Sequence, residues 1–197
     1  MSYPPEHKHR THARILESAR RLFKEHGYQG VGIDTIMADA GLTRGGFYAH
    51  FKSKEDLFSE VVCDAVFTRH LKRFEDGNQH RPDDWLHRVV MEYLSELHRD
   101  REETGCLMAP LSADIARSGP AVQSQFAETI QALLAEIAGQ LPDQADYRRE
   151  RAIAVAALCV GGLALARAVG KTSLSGELLQ ACRVATDVIA APSTRPV

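Results

Sequence analysis

The chain has 197 residues, 44% apolar and 25% charged, with a formal charge of −2 and four cysteines. That apolar content builds a substantial core for one large or two small domains, and it excludes a largely disordered chain. Cys63, Cys106, Cys159 and Cys182 stand far apart without a Cys-x-x-Cys pair, so neither a zinc site nor a disulfide framework follows, and reduced thiols in the cytoplasm are expected.

The charge is uneven. Residues 1–54 hold nine Lys or Arg against five acids, a net of +4, so the remaining residues must total −6. This fits a basic reading head on an acidic body. Met1 to Thr11 is Pro- and His-rich without an apolar run, so no signal peptide is read there. Residues 1–9 are expected to form a flexible arm. His7, His9 and His12, with Lys8 and Arg10, fit an arm that reaches the DNA backbone better than a metal site, and an unstructured tail better still. No metal or cofactor is expected.

Ile15, Ala19, Leu22 and Phe23 then share one face of a first helix that stops at Gly27, while Arg14, Arg21 and Lys24 mark its other face. Asp34 is predicted to cap a short helix over 35–40, ended by Gly41, and Thr43 to cap another that runs to about His50. Two short helices joined at a glycine turn are the parts of a helix-turn-helix, a major-groove reader. Ser53 and Asp56 resemble a capping box that opens a long helix with Leu57, Phe58, Val61, Val62, Ala65 and Val66 inward.

Residues 75–82 read as a loop. Further helices are predicted over about 83–98, 106–117, 121–140, 147–170 and 174–190, with a disordered tail from about 192. The stretch 152–169 is the most apolar, but Arg148, Arg149, Arg151 and Arg167 bracket or enter it, so a buried helix is expected and no membrane span. The fold class is all-α with about nine helices. The expected division is a DNA-binding head over 1–54 and a ligand-binding and dimerisation body over 55–197.

Within 43–51, Phe47 and Phe51 lie four apart and suit an anchoring face, while Arg44 and Tyr48 lie four apart on an outward one. Arg forks to guanine in the major groove, and Thr43 and Tyr48 suit phosphate or a thymine edge. Gly45 and Gly46 each cost about 1 kcal/mol relative to Ala in a helix, a cost consistent with close backbone approach to DNA. Lys54 and Thr35 sit in the first turns of their helices, where a phosphate is favoured. His50 is a further candidate, and a merely packed histidine is its alternative. No nucleophile, base and orienting group converge in the sequence, so no catalytic site is read.

These residues carry a resemblance. Ile15 to Ala19, Leu22-Phe23, Gly27-Tyr28, Ile33 to Ala40, Gly41-Leu42-Thr43, Phe47 to Phe51 and Lys54 to Leu57 resemble the DNA-binding head of the tetracycline-repressor (TetR/AcrR) family. Tyr93-Leu94, His98-Arg99-Asp100 and Gly105-Cys106-Leu107 look similar to a subgroup near its multidrug-resistance regulators. The resemblance implies that Thr43, Arg44 and Gly45 meet base edges or adjacent backbone, while Thr35, Tyr48, His50 and Lys54 hold phosphates of double-stranded DNA. It also implies a homodimer on a palindromic operator. The last two helices are its candidates, with Ala154, Ala157, Gly161, Ala164 and Ala168 as a small-residue face.

A small-molecule effector is implied too, in a cavity that offers Trp85, Val89, Tyr93, Leu97, Cys106, Leu107, Met108, Leu111, Phe126, Ile130 and Cys159. Arg167 and Asp114 are candidates for a charged group on it. The expected function is a ligand-released transcriptional repressor. A regulator switched covalently at Cys106 or Cys159, and an all-α enzyme or carrier that keeps the helix-turn-helix as scaffold, stand as alternatives.

Overall fold

A computed structural model describes residues 5–65, 84–100, 107–142 and 147–191, and among these every regular element is helical. The elements are α1 (Pro5–His26), α2 (Ile33–Asp39), a 3₁₀ segment (Arg44–Ala49), α3 (Lys54–Ala65), α4 (Trp85–Tyr93), α5 (Glu96–Asp100), α6 (Met108–Ala116), α7 (Pro120–Gly139), α8 (Arg148–Ala168) and α9 (Ser173–Ala190). Contacts group Met1–Ala65 with Pro110–Glu128 in one compact unit, and Val66–Ala109 with Thr129–Val197 in a second. This grouping changes after residues 65, 109 and 128, whereas the division expected from sequence falls after residue 54.

In the first unit, α1 begins earlier than the expected arm allows. Pro5 takes the first helical position, where a missing N–H costs nothing, and Glu6 complements the positive helix end. Ile15, Ala19 and Phe23 of α1 and Leu57, Phe58 and Val61 of α3 are fully buried. Phe23 meets Phe58 edge-on at 5.4 Å, and Tyr28 closes on Phe58 at 4.5 Å. Gly27, at φ 71°, ends α1.

The turn after α2 is a Schellman motif. The Leu42 N–H donates to Met37 C=O at 2.8 Å and the Gly41 N–H to Ala38 C=O at 2.9 Å, with Gly41 at φ 64°. The N-cap of α2 is Gly32, without a side-chain cap bond, so Asp34 lies inside the first turn instead of capping it. Thr43 occupies the next N-cap position, also without a side-chain bond. The segment after it is 3₁₀ where an ordinary helix was expected, as two consecutive poor helix formers allow. The expected Ser53–Asp56 box forms in its first bond, the Asp56 N–H donating to Ser53 Oγ at 3.0 Å, while Asp56 Oδ2 accepts the Lys52 N–H at 2.9 Å, one residue before the cap.

In the second unit, the predicted helix over 83–98 breaks at Leu94. Ser95 Oγ donates to Glu92 C=O at 2.7 Å and accepts the His98 N–H at 3.0 Å, which starts α5. Arg183 Nε donates to the freed Leu94 carbonyl at 2.8 Å. The same device recurs: Arg167 donates to the carbonyls of Arg99 (3.2 Å) and His98 (3.0 Å) at the end of α5, and Arg151 to Ile189 C=O (2.6 Å) near the end of α9. A guanidinium at a helix C-terminus satisfies orphan carbonyls and complements the dipole. Arg167, a candidate ligand contact, is therefore occupied structurally.

The helices α8 and α9 pack closely around Gly162, where an added Cβ would lie 2.6 Å from Cys182 Sγ. Buried Arg99 donates to Ser175 Oγ at 2.9 Å and to Asp100 at 2.7 Å, and Ser175 Oγ in turn donates to Ala166 C=O. By length and composition α8 is long and apolar enough to cross a membrane, yet Ala152, Val155, Cys159, Gly162, Leu163 and Ala166 are buried within the protein.

Candidate nucleic-acid interface

The 3₁₀ segment is anchored on one side and open on the other. Phe47 and Phe51 are buried, with ring centroids 5.7 Å apart, whereas Tyr48 is 60% exposed. Thr35, Thr43, Arg44 and Gly45 are exposed as well. A Cβ built on Gly45 meets nothing within 4 Å, while one on Gly46 would meet Met37 Cε at 3.7 Å. Gly45 thus leaves the backbone bare toward solvent, and Gly46 packs inward.

Arginines and hydroxyls behind this face fix α2 on α1. Ser18, buried in α1, shares its hydroxyl between Ile36 C=O at 3.0 Å and the Asp39 carboxylate, and Arg21 also pairs with Asp39. Those two donors hold the Asp39 carboxyl below its usual range. Arg14 Nη2 donates to Ala40 C=O at 2.6 Å, so both the side chain and the backbone end of α2 are gripped from α1.

Two predicted contacts are turned inward. Lys54 Nζ donates to Tyr28 C=O at 2.6 Å and stands 4.1 Å over the Tyr28 ring, and burial lowers its pKa. His50 has its Nδ1 buried without a hydrogen-bond partner among the described residues. Its ring lies 6.0 Å from that of His12, which stacks on Phe51 and meets Glu60 at 2.7 Å. Burial first, then the charges of His12, Lys8 and His7, push the His50 pKa down, so the neutral ring is favoured. Neither side chain projects to solvent as a ready phosphate clamp.

Asp114, the other candidate ligand contact, accepts the Tyr28 N–H at 3.1 Å through Oδ2 and Arg117 Nη2 at 3.1 Å through Oδ1. Glu55 Oε1 accepts the Gly119 N–H at 3.3 Å. Sequence reading missed both bonds, which cross 86 and 64 residues and leave no local signal.

The expected cavity residues are spread over both units. Leu111 is buried and Phe126 half-buried in the first; Trp85, Val89, Tyr93, Leu107, Met108 and Cys159 are buried and Ile130 half-buried in the second. Cys106 lies outside the described residues. Leu97 is 60% exposed, because the break at Leu94 turns the register so that His98 faces inward, its Nδ1 donating to Tyr93 C=O at 2.6 Å.

Fold and face together define a helix-turn-helix protein with an additional helical body. Residues 15–61 match the family model "Bacterial regulatory proteins, tetR family", and over these residues the chain is similar to that family's DNA-binding head. It is similar to the HTH-type transcriptional regulator YfiR of Bacillus subtilis, 27% identical over 106 residues, or 54% of this chain and 50% of the relative. It is also similar to the HTH-type transcriptional repressor AcnR of Corynebacterium efficiens, 33% identical over 97 residues, or 45% and 51%. The chain thus spans about half the length of these curated relatives. The reduced form of Escherichia coli NemR shares the fold, with a TM-score of 0.75 at 19% identity over 94% of this chain and 99% of that one.

Proposed function

We propose that this chain is a cytoplasmic, dimeric transcriptional repressor whose two heads read a palindromic operator and which a small apolar or amphipathic molecule releases. The observation that carries the reading is the exposed set Thr43, Arg44 and Tyr48 on the second element of a helix-turn-helix, around the bare backbone of Gly45, with Thr35 exposed on the first element. Phosphate-seeking hydroxyls beside a guanidinium suit a major groove, and an open glycine admits close approach. The relatives named as repressors, AcnR and NemR, support the same direction.

A dimer supplies what one head lacks, since two-fold heads about 34–36 Å apart, or a multiple, read two half-sites. Support for it comes from outward apolar stripes on the last two helices: Ile153, Ala157, Leu165 and Ala168 on α8, and Leu174, Ala181, Val184 and Val188 on α9. Ala154, Gly161 and Ala164 of the expected small-residue face are half-buried beside them. Of the two thiols of the cysteine-switch alternative, Cys159 is fully buried, which disfavours a reactive thiolate, and Cys106 lies outside the described residues.

Fluorescence anisotropy with the DNA upstream of the protein's own coding region, against scrambled duplex at several salt concentrations, tests the reading. Two protomers bound at least about 10³-fold tighter than to scrambled DNA is the expected result. Equal, steeply salt-dependent binding to both duplexes would overturn it.

A further inference from the structure

The base-reading candidate Arg44 is not a solitary cation. Its Nη1 donates to Asp34 Oδ2 at 2.7 Å, joining the first residue of the 3₁₀ segment to the first turn of α2. The two side chains are 63% and 65% exposed, so solvent screens the bond and it adds little to stability. Its consequence is one of orientation and charge.

We propose that Asp34 is a specificity-determining residue: it orients Arg44 for one guanine and cancels the charge that would otherwise draw Arg44 to phosphate. The inference rests on the DNA-binding reading above. The bond uses Nη1, which leaves the Nε and Nη2 edge, a planar fork that matches guanine O6 and N7. An arginine on a long chain has many solvated rotamers, and a fixed acceptor behind it selects those that present this edge. Asp34 therefore acts through Arg44 as a positioning residue, and its removal should strengthen non-specific binding while weakening discrimination.

The test is selection from a randomised 30-base-pair duplex pool with the full-length protein and its D34N, D34E and R44A variants, followed by salt titration on a single scrambled duplex. Wild type should enrich a palindrome with a guanine in each half-site, and R44A should lose that guanine. With D34N the preference for that guanine should fall about tenfold or more. Binding of D34N to scrambled duplex should tighten, its salt slope steepening by about 0.9 for each arginine newly on phosphate. D34E, which keeps the charged carboxylate that D34N replaces with a neutral amide, should restore much of the preference. If D34N selects the same guanine with the same strength while R44A loses it, Arg44 reads unaided and the proposal is overturned, with the DNA-binding reading intact. A wild-type pool without any enriched sequence overturns the DNA-binding reading itself. Matching far-ultraviolet dichroism and thermal midpoints for the exposed-site variants separate both results from misfolding.

Discussion

The Tyr28 N–H donates to Asp114 Oδ2 at 3.1 Å, while the carbonyl of the same residue accepts Lys54 Nζ at 2.6 Å. One residue just past the end of α1 is therefore held from α6 through its amide and from α3 through its carbonyl. Asp114→Ala removes the amide's acceptor and should cost about 1–3 kcal/mol if that amide is left unpaired. Asp114→Asn keeps an oxygen there and should lose less. Urea unfolding of both variants checks the order, and an alanine variant as stable as the asparagine one would show that the carboxylate is dispensable.

Two groups in the head tie stability to pH with the same sign at different windows. The folded pKa of His50 lies below its ordinary value, so its contribution is complete above about pH 6.5 and is lost as the pH falls through the depressed value. Asp39 is also depressed, held down by Ser18 and Arg21, and its contribution is present above about pH 3.9 and lost only in stronger acid. Thermal midpoints measured from pH 8 to 3 should show a first decline that His50→Asn flattens and a second, acid decline that Asp39→Asn flattens. An unchanged profile in either variant would remove that group from the account.

Three glycines should respond differently to alanine. Gly41 stands at φ 64°, and its added Cβ would meet Arg14 Nη2 at 3.0 Å, so Gly41→Ala should destabilise by about 1–2 kcal/mol. Gly162→Ala would place its Cβ 2.6 Å from Cys182 Sγ and 3.1 Å from Cys182 Cβ, and this overpacking should cost about 1–3 kcal/mol, partly relieved by Cys182→Ala. Gly45→Ala has open space and should be neutral or stabilise by up to about 1 kcal/mol, while its methyl weakens DNA binding. Denaturant midpoints alongside anisotropy separate the three, and a Gly45→Ala variant that binds DNA as well as wild type would refute the role given to its bare backbone.

What the sequence made legible was local. Gly27, Gly41 and the Ser53–Asp56 box act over a few residues, so their chemistry is written in adjacent letters. The start of α1 was also legible, in Pro5 followed by Glu6, beneath a histidine-rich composition that suggested an arm. The break at Leu94 was not, because the carbonyl it frees is satisfied by Arg183, 89 residues away. Periodicity placed Leu97 inward for the same reason, extending one helix through a turn that tertiary contacts reset. Lys54 shows the limit at the site: a lysine in a first helical turn suits a phosphate, but sequence did not reveal that a carbonyl and an aromatic ring already hold it. Arg44 and Asp34, ten residues apart across a turn, had no periodic relation that would have paired them.

The last two helices give the sharpest test of assembly. Val188 is 72% exposed and Val184 53%, four residues apart on one face of α9, and Leu165 on α8 is 56% exposed. Large apolar side chains in outward stripes on adjacent helices favour association, since covering them removes apolar surface from water. The proposed dimer should therefore lose affinity when Val188 becomes glutamate, because an unpaired carboxylate in a closed interface carries a desolvation cost of several kcal/mol. Exposure in the single chain means that the same substitution should leave the protomer folded, with unchanged helicity. Sedimentation velocity at micromolar concentration should show dimers for wild type and monomers for Val188→Glu, and the variant should lose operator binding more than scrambled-duplex binding, as only the former needs two heads. A Val188→Glu protein that sediments as a dimer would move the interface off this face of α9.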